Sequence, residues 1–183
     1  MNIFVCGGVS PKMKRKYLKG ISTLAELLAQ HGHTITCVGS TGGAIGEMYN
    51  SFKKAGGQAL LMVPDCYATE AFGIENQMVA MPNLYSMQQF ALKNSGATIV
   101  LPGGNGTLAE LYMTLDNIKS GFDADPIIIF NINGFYDFFK IIEEKFLDAG
   151  VLNMSQNEMV SICKTPEEVM KIISKRPNKQ QVQ

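Results

Sequence analysis

An α/β fold on a doubly wound, mostly parallel sheet of about seven strands, with helices on both faces, is predicted by two patterns. Apolar runs of about five residues alternate along the chain with longer stretches of helical period, the signature of strands joined by crossover helices. Two of those runs, ATIVL at 97–101 and PIIIF at 126–130, are continuously apolar, as strands covered on both faces are.

The elements follow in order. A strand at 3–5 (IFV) leads to a helix over 17–30, which Gly32 ends before a strand at 34–38 (TITCV). A helix over 45–55 stops at Gly56 and Gly57, and a strand follows at 59–63 (ALLMV). The pattern continues with a strand at 77–81, a helix over 83–94, the 97–101 strand, a helix from Thr107, the 126–130 strand, a helix over 135–149 and a strand at 159–163. Thr165-Pro166-Glu167-Glu168 starts a last helix over 166–174, with a cap and a proline at its first position. No internal repeat or linker divides the chain, so a single domain over 1–175 is expected, with 176–183 a disordered tail that has nothing to bury.

Sixteen basic and sixteen acidic side chains cancel, which argues against nucleic acid or an anionic membrane surface as a partner. No apolar run approaches the roughly 20 residues of a membrane helix, and the first residues read as a strand and loop, not as a signal peptide. A cytoplasmic protein is expected. Cys6, Cys37, Cys66 and Cys163 stand far apart and form no C-x-x-C pair, so reduced thiols are expected. His31 and His33 lack a nearby Cys, Asp or Glu to complete a ligand set, so no metal site is expected; they lie where a helix should end.

Three glycine clusters follow strands: Gly7 and Gly8 in CGGVSP, Gly42 and Gly43 in GSTGGAIG, and Gly103, Gly104 and Gly106 in PGGNGT. Ligands of doubly wound sheets bind beyond the carboxyl ends of the strands. Glycines there let backbone amides approach an anion, and a helix N-terminus adds its dipole. A phosphate-sized site is the reading, with Gly103, Gly104, Asn105, Gly106 and Thr107 as its centre and Thr107 offering both a helix cap and a hydroxyl. The P-loop pattern is absent. Gly104-x-Gly106-x-x-Ala109 satisfies a dinucleotide pattern, but the strand after it runs into Phe130-Asn131-Ile132-Asn133, with no acid for a ribose hydroxyl. No cofactor is therefore expected. Glu110, three residues after Thr107, has two readings: a carboxylate beside the anion that grips ribose, stabilises an oxocarbenium ion or activates water, or the second half of a Thr-x-x-Glu capping box.

Residues 102–110, PGGNGTLAE, resemble the P-G-G-x-G-T-x-x-E motif of the Lonely Guy family, cytokinin-activating phosphoribohydrolases often misnamed lysine decarboxylases. VCGGVSP, Gly43-Ala44-Ile45-Gly46, AGGQALLMVP and FNINGFYDFF are similar to further segments of that family. The resemblance implies a Rossmann-like fold, usually dimeric, that cleaves the N-glycosidic bond of a nucleoside 5′-monophosphate to free base and ribose 5-phosphate. It implies that Gly103, Gly104, Gly106 and Thr107 hold the phosphate and that Glu110 is catalytic. The chain departs from the family where an arginine should partner the glutamate: that position is Met87. The only arginines are Arg15, expected in the first helix, and Arg176, in the tail; Lys93 is the nearest cation in sequence. Asp116-Asn117 replaces the family's Thr-Trp pair, with a bearing on the base accepted. Met78, Met81 and Met87 can line an adaptable pocket or fill core and dimer interface, and filling is the expectation. Two functions stay open: a hydrolase, favoured by the retained glutamate, and a nucleotide or cofactor carrier, favoured by the missing arginine.

Overall fold

The computed structural model describes residues 1–65, 78–121, 125–152 and 160–175; Cys66, Arg176 and the tail read as disordered lie outside them. Seven strands form one sheet: β1 Asn2–Cys6, β2 Thr34–Val38, β3 Gln58–Pro64, β4 Met78–Met81, β5 Thr98–Val100, β6 Ile127–Phe130 and β7 Val160–Cys163. Their order is β4-β3-β2-β1-β5-β6-β7 and every pairing is parallel, as the sequence predicts. The chain winds outward from β1 to β4, then returns to the other side of β1 with β5. The loops leaving β1 and β5 therefore diverge around a crevice, where this topology places ligands.

Alternation along each strand divides the core between the faces. Ile3 and Val5 of β1 pack with α1 (Ile21–Gln30), α2 (Gly43–Lys54) and α6 (Pro166–Ile173). Phe4 and Cys6 pack on the other face with α3 (Leu84–Lys93), α4 (Asn105–Lys119) and α5 (Asp137–Asp148). Met81 and Met87 are buried in this second core and Met78 packs against the first, so all three fill space between sheet and helices.

Four helix starts differ from the sequence reading by two residues or more: α2 begins at Gly43 instead of residue 45, and the other three each have a local backbone reason. Gly20, at φ 91°, separates α1 from a 3-10 turn over Arg15–Tyr17, so Arg15 lies in the β1–α1 connection and not in the helix. α4 begins at Asn105, because Gly104 takes the extended conformation of an N-cap. A 3-10 turn over Ile132–Gly134, with Asn133 at φ 50° and Gly134 at φ 69°, delays α5 to Asp137. The last helix starts as expected: Glu168 donates its amide to the Thr165 hydroxyl at 3.3 Å and its carboxylate accepts the Thr165 amide at 3.3 Å.

Cys6, Cys37 and Cys163 are buried and unbridged. His31 turns its Nδ1 to the Leu27 carbonyl at 2.8 Å, and His33 faces the N-terminal amine. No group of three or more His, Cys, Asp or Glu among the described residues is placed to hold a metal, and no described helix is long and apolar enough to cross a membrane.

Candidate functional site

The three glycine clusters meet at the crevice. The Gly8 amide donates to the Pro102 carbonyl at 2.9 Å, and the Gly8 carbonyl accepts the Ile45 amide at 3.2 Å, so the β1 loop is clamped between the β5 turn and the start of α2. Gly43 is needed twice over: its φ is +62°, and a Cβ there would strike the Gly8 carbonyl and lie 2.9 Å from the Ser10 amide. A Cβ on Gly42 would lie 2.6 Å from the Val9 carbonyl oxygen, and one on Gly7 2.9 Å from the Leu101 side chain. The spacing-based grouping of Gly7, Gly8, Gly42 and Gly43 with the 103–107 turn thus describes one packed cluster.

Within the turn, Gly103 is buried while Gly104, Asn105 and Gly106 are exposed. The first turn of α4 leaves the amides of Asn105, Gly106 and Thr107 without intrahelical acceptors at the positive end of the helix. Thr107 is the third residue of α4, buried, with its hydroxyl packed on Gly103. It does not cap the helix: the N-cap is Gly104 and no side chain caps it. The capping-box reading of Glu110 falls with that, because Thr107 and Glu110 are both inside the helix.

Glu110 stands one turn into α4. Its backbone carbonyl accepts the Gln88 side-chain amide at 2.6 Å and the Thr114 hydroxyl at 2.7 Å, and Gln88 also reaches Thr114 at 3.2 Å. Gln88 is 2% exposed, so this anchor from α3 is dry. Burial pushes the Glu110 carboxyl up to about 7. Its charge acts on the thiols of Cys6 and Cys37 and on the Tyr136 phenol, which places it by the ends of β1 and β2; burial first, and this charge after it, push Cys37 up to about 12 and also raise Cys6. Among the described residues no cation pairs with Glu110. Met87, at the position of the family's arginine, is 2% exposed in the core, and Lys93 is exposed at the far end of α3. Asp116 is six residues further along α4, about 9 Å, and lines a shallow groove with Tyr112, Lys119 and Phe146. It is not part of the glycine cluster.

Two residues of the site were not singled out by spacing. Gln88 looks like any polar position of an amphipathic helix. Tyr136 lies in the FNINGFYDFF segment and is fully buried. Its hydroxyl donates to the Leu101 carbonyl at 2.7 Å and lies within hydrogen-bonding reach of the Gly103 amide. Its own amide donates to the Asn131 side chain at 2.7 Å, and Asn131 in turn donates to Asp137 at 2.8 Å. Tyr136 thus pins the entry to the glycine turn from within the second core, on the face of the sheet that carries α4. Tyr136→Phe is expected to leave the Leu101 carbonyl without its partner and cost about 1–3 kcal/mol, measured by urea denaturation.

Residues 45–173 match the family described as possible lysine decarboxylase. Over 175 residues, 94% of this chain and 76% of the relative, the sequence is 26% identical to cytokinin riboside 5′-monophosphate phosphoribohydrolase LOG5 of Arabidopsis thaliana. The molybdenum cofactor binding protein from Rippkaea orientalis shares the fold, with a TM-score of 0.71 at 21% identity over 95% of both chains. So does the molybdenum cofactor carrier protein MCP from Chlamydomonas reinhardtii, with a TM-score of 0.71 at 18% identity over 95% of this chain and 96% of that one. The matched span takes in well over half of the chain, including the PGGNGT turn, Glu110 and the Tyr136 anchor, and this protein belongs to the possible lysine decarboxylase family, that of the Lonely Guy proteins.

Proposed function

We propose that the chain binds a nucleoside 5′-monophosphate or phosphoribosyl ligand on the 103–107 turn and hydrolyses its N-glycosidic bond, with Glu110 as the catalytic group. The observation that carries this reading is the position of Glu110: a carboxyl with a proton affinity near neutrality, one helical turn from a cluster of open amides and held in place through its backbone by Gln88. The phosphate sits on the amides of Gly104, Asn105, Gly106 and Thr107, with Gly7, Gly8, Gly42, Gly43 and Gly103 giving the backbone room to close around it. The ribose then lies over the first turn of α4. As the C1′–N bond breaks, its electron pair leaves with the base, which takes up a proton, and positive charge grows on the ribosyl carbon. Ionised Glu110 faces that charge, then accepts a proton from the water that adds to C1′. The products are free base and ribose 5-phosphate. A carboxyl with a pKa near 7 suits this, since it is basic enough to take the proton and still ionised in part at neutral pH.

One observation favours a second reading, a carrier that binds without cleaving. Met87 replaces the family's arginine, and no other described cation takes its place beside Glu110. Chromatography of base release from a panel of nucleoside 5′-monophosphates, with Glu110→Gln beside the wild type, decides between them. Release that falls by about 10²-fold or more in the variant supports the hydrolase. Nucleotide binding with no release from any member of the panel supports the carrier.

The assembly proposed is a homodimer of one nucleotide-binding domain per chain, covering 1–175, with Val79, Leu84 and Tyr85 of β4 and α3 as exposed apolar candidates for the interface. Three buried, unbridged cysteines suit a reducing compartment, and the cytoplasm is proposed.

A further inference from the structure

From the Leu101 amide to the Gly103 amide, each backbone donor and acceptor has its partner inside the protein. The Leu101 amide donates to the Cys6 carbonyl at 2.8 Å, and the Pro102 carbonyl accepts the Gly8 amide at 2.9 Å. Proline brings no amide of its own. The two remaining groups, the Leu101 carbonyl and the Gly103 amide, both meet the Tyr136 hydroxyl, which donates to the first at 2.7 Å and lies within hydrogen-bonding reach of the second. Such complete pairing is the rule for buried backbone. It stops at Gly104: among the described residues no group accepts the amides of Gly104, Asn105, Gly106 or Thr107.

The hydroxyl therefore spans Pro102, and it is the one side-chain group among the described residues that is bonded to this stretch. Its own position is fixed from several directions. The ring is fully buried and meets Phe135 edge-on at 4.9 Å, with Phe138 at 5.8 Å on a tilt. Beneath it, Asn131 takes the Tyr136 amide and holds Asp137 as described, and its own amide donates to the Cys163 carbonyl at 2.7 Å. The same loop also grips the β1–α1 connection: the Asn133 side chain donates to the Lys16 carbonyl, and Phe135 meets the Tyr17 ring at 4.9 Å. One rigid loop thus braces a turn whose next two residues, Gly103 and Gly104, have no side chain to limit their torsions.

Resting on the reading of the 103–107 turn as a phosphate site, we infer that Tyr136 is the positioning residue of that site: its hydroxyl holds the Leu101 carbonyl and the Gly103 amide, so the phosphate binds from Gly104 onward on amides set in place before it arrives. Gly103, which the family motif counts among the phosphate-holding residues, then serves the turn and not the anion. Ordering the amides in advance removes a cost that binding would otherwise carry, and affinity rises accordingly. Phenylalanine at this position keeps the ring and its packing and removes only the oxygen. The Leu101 carbonyl is then unpaired, the Gly103 amide is free to turn, and the direction in which the chain enters α4 is no longer fixed.

Calorimetric titration of inorganic phosphate and of AMP into wild type, Tyr136→Phe and Ile35→Val tests this. Ile35 is buried in the first core, on the face of the sheet away from Tyr136, so its variant loses stability without touching the turn. Tyr136→Phe is expected to bind both probes about tenfold more weakly or worse, by a similar factor for each because the defect is at the phosphate. Ile35→Val should bind them as the wild type does. A second measurement needs no variant and decides the matter even if Tyr136→Phe does not fold: in nitrogen-15 spectra of the free wild type, the Gly103 amide should exchange with solvent about tenfold more slowly or less than the Gly104 amide. Wild-type affinity in Tyr136→Phe, an equal loss in Ile35→Val, or a Gly103 amide that exchanges as fast as that of Gly104 would overturn the inference and leave the phosphate turn intact. Binding of neither probe by the wild type would overturn the phosphate turn as well, and the inference with it.

Discussion

Gly103→Ala is expected to weaken ligand binding by about 100-fold or more and to cost about 1–3 kcal/mol of stability. A Cβ at this position would overlap the Thr107 hydroxyl, approach Thr107 Cβ to 2.6 Å and lie 2.7 Å from the Gly8 amide nitrogen. None of these neighbours is the free end of a flexible chain. Thr107 is buried inside α4, and the Gly8 amide is tied to the Pro102 carbonyl, so the turn itself has to swing away. That movement shifts the amides of residues 104–107 relative to one another, and the anion loses the geometry it binds. Gly106→Ala is the informative contrast. Nothing lies within 4 Å of its Cβ position, its backbone is helical and it is exposed. Stability should stay level or rise by about 0.5–1 kcal/mol. If affinity for phosphate or AMP falls in Gly106→Ala although stability does not, the new methyl group is meeting the ligand, and the phosphate lies on the first turn of α4. Unchanged affinity in both variants would remove the 103–107 turn from the binding site. Denaturation curves and titrations on the same preparations measure both quantities.

The sheet was legible because its strands are buried on both faces and so stand out as runs of apolar residues, PIIIF above all. The convergence of Gly7, Gly43 and Gly103 was legible for a topological reason: glycines at the carboxyl ends of parallel strands share one rim whatever the strand order. Helix starts were harder to read, because they turn on single backbone conformations. Gly20 in the left-handed region moves the start of α1 by four residues, and with it moves Arg15 from a helix to the β1–α1 connection. Gly104 as N-cap places Thr107 inside α4, and a capping box that the sequence spells correctly does not form there, while the same Thr-x-x-Glu spelling at Thr165 does form one. Tyr136 and Gln88 went unnoticed because their partners are backbone carbonyls, 35 and 22 residues away. No side-chain pattern records a bond to a backbone atom.

Glu110→Gln is expected to make the free protein more stable above neutral pH while removing its chemistry. The sign follows from the raised pKa of about 7. Between the ordinary carboxyl value of 4.5 and about 7, the unfolded chain has lost this proton and the folded protein keeps it, so folding takes up a proton and stability falls as pH rises through that window. Above it, the folded protein holds a carboxylate in a site that opposes the charge. The full shift corresponds to about 3 kcal/mol; water reaches part of this side chain, and screening reduces the gain on neutralisation to about 1–2 kcal/mol. Glutamine has nearly the same shape and no charge to bury, so the variant should unfold at higher temperature than the wild type at pH 8 and at the same temperature near pH 4. If the hydrolase reading holds, the wild-type rate of base release should rise with pH through about 7, because the ionised form takes the proton from water. The variant should keep a residual, pH-independent rate lower by about 10²-fold or more. A glutamate kept for structure would behave in the opposite way, with Glu110→Gln losing stability at pH 8. Gain of stability with loss of activity marks a charge held at a cost for its function; gain of stability with unaltered ligand binding and no base release from either protein would mark the carrier.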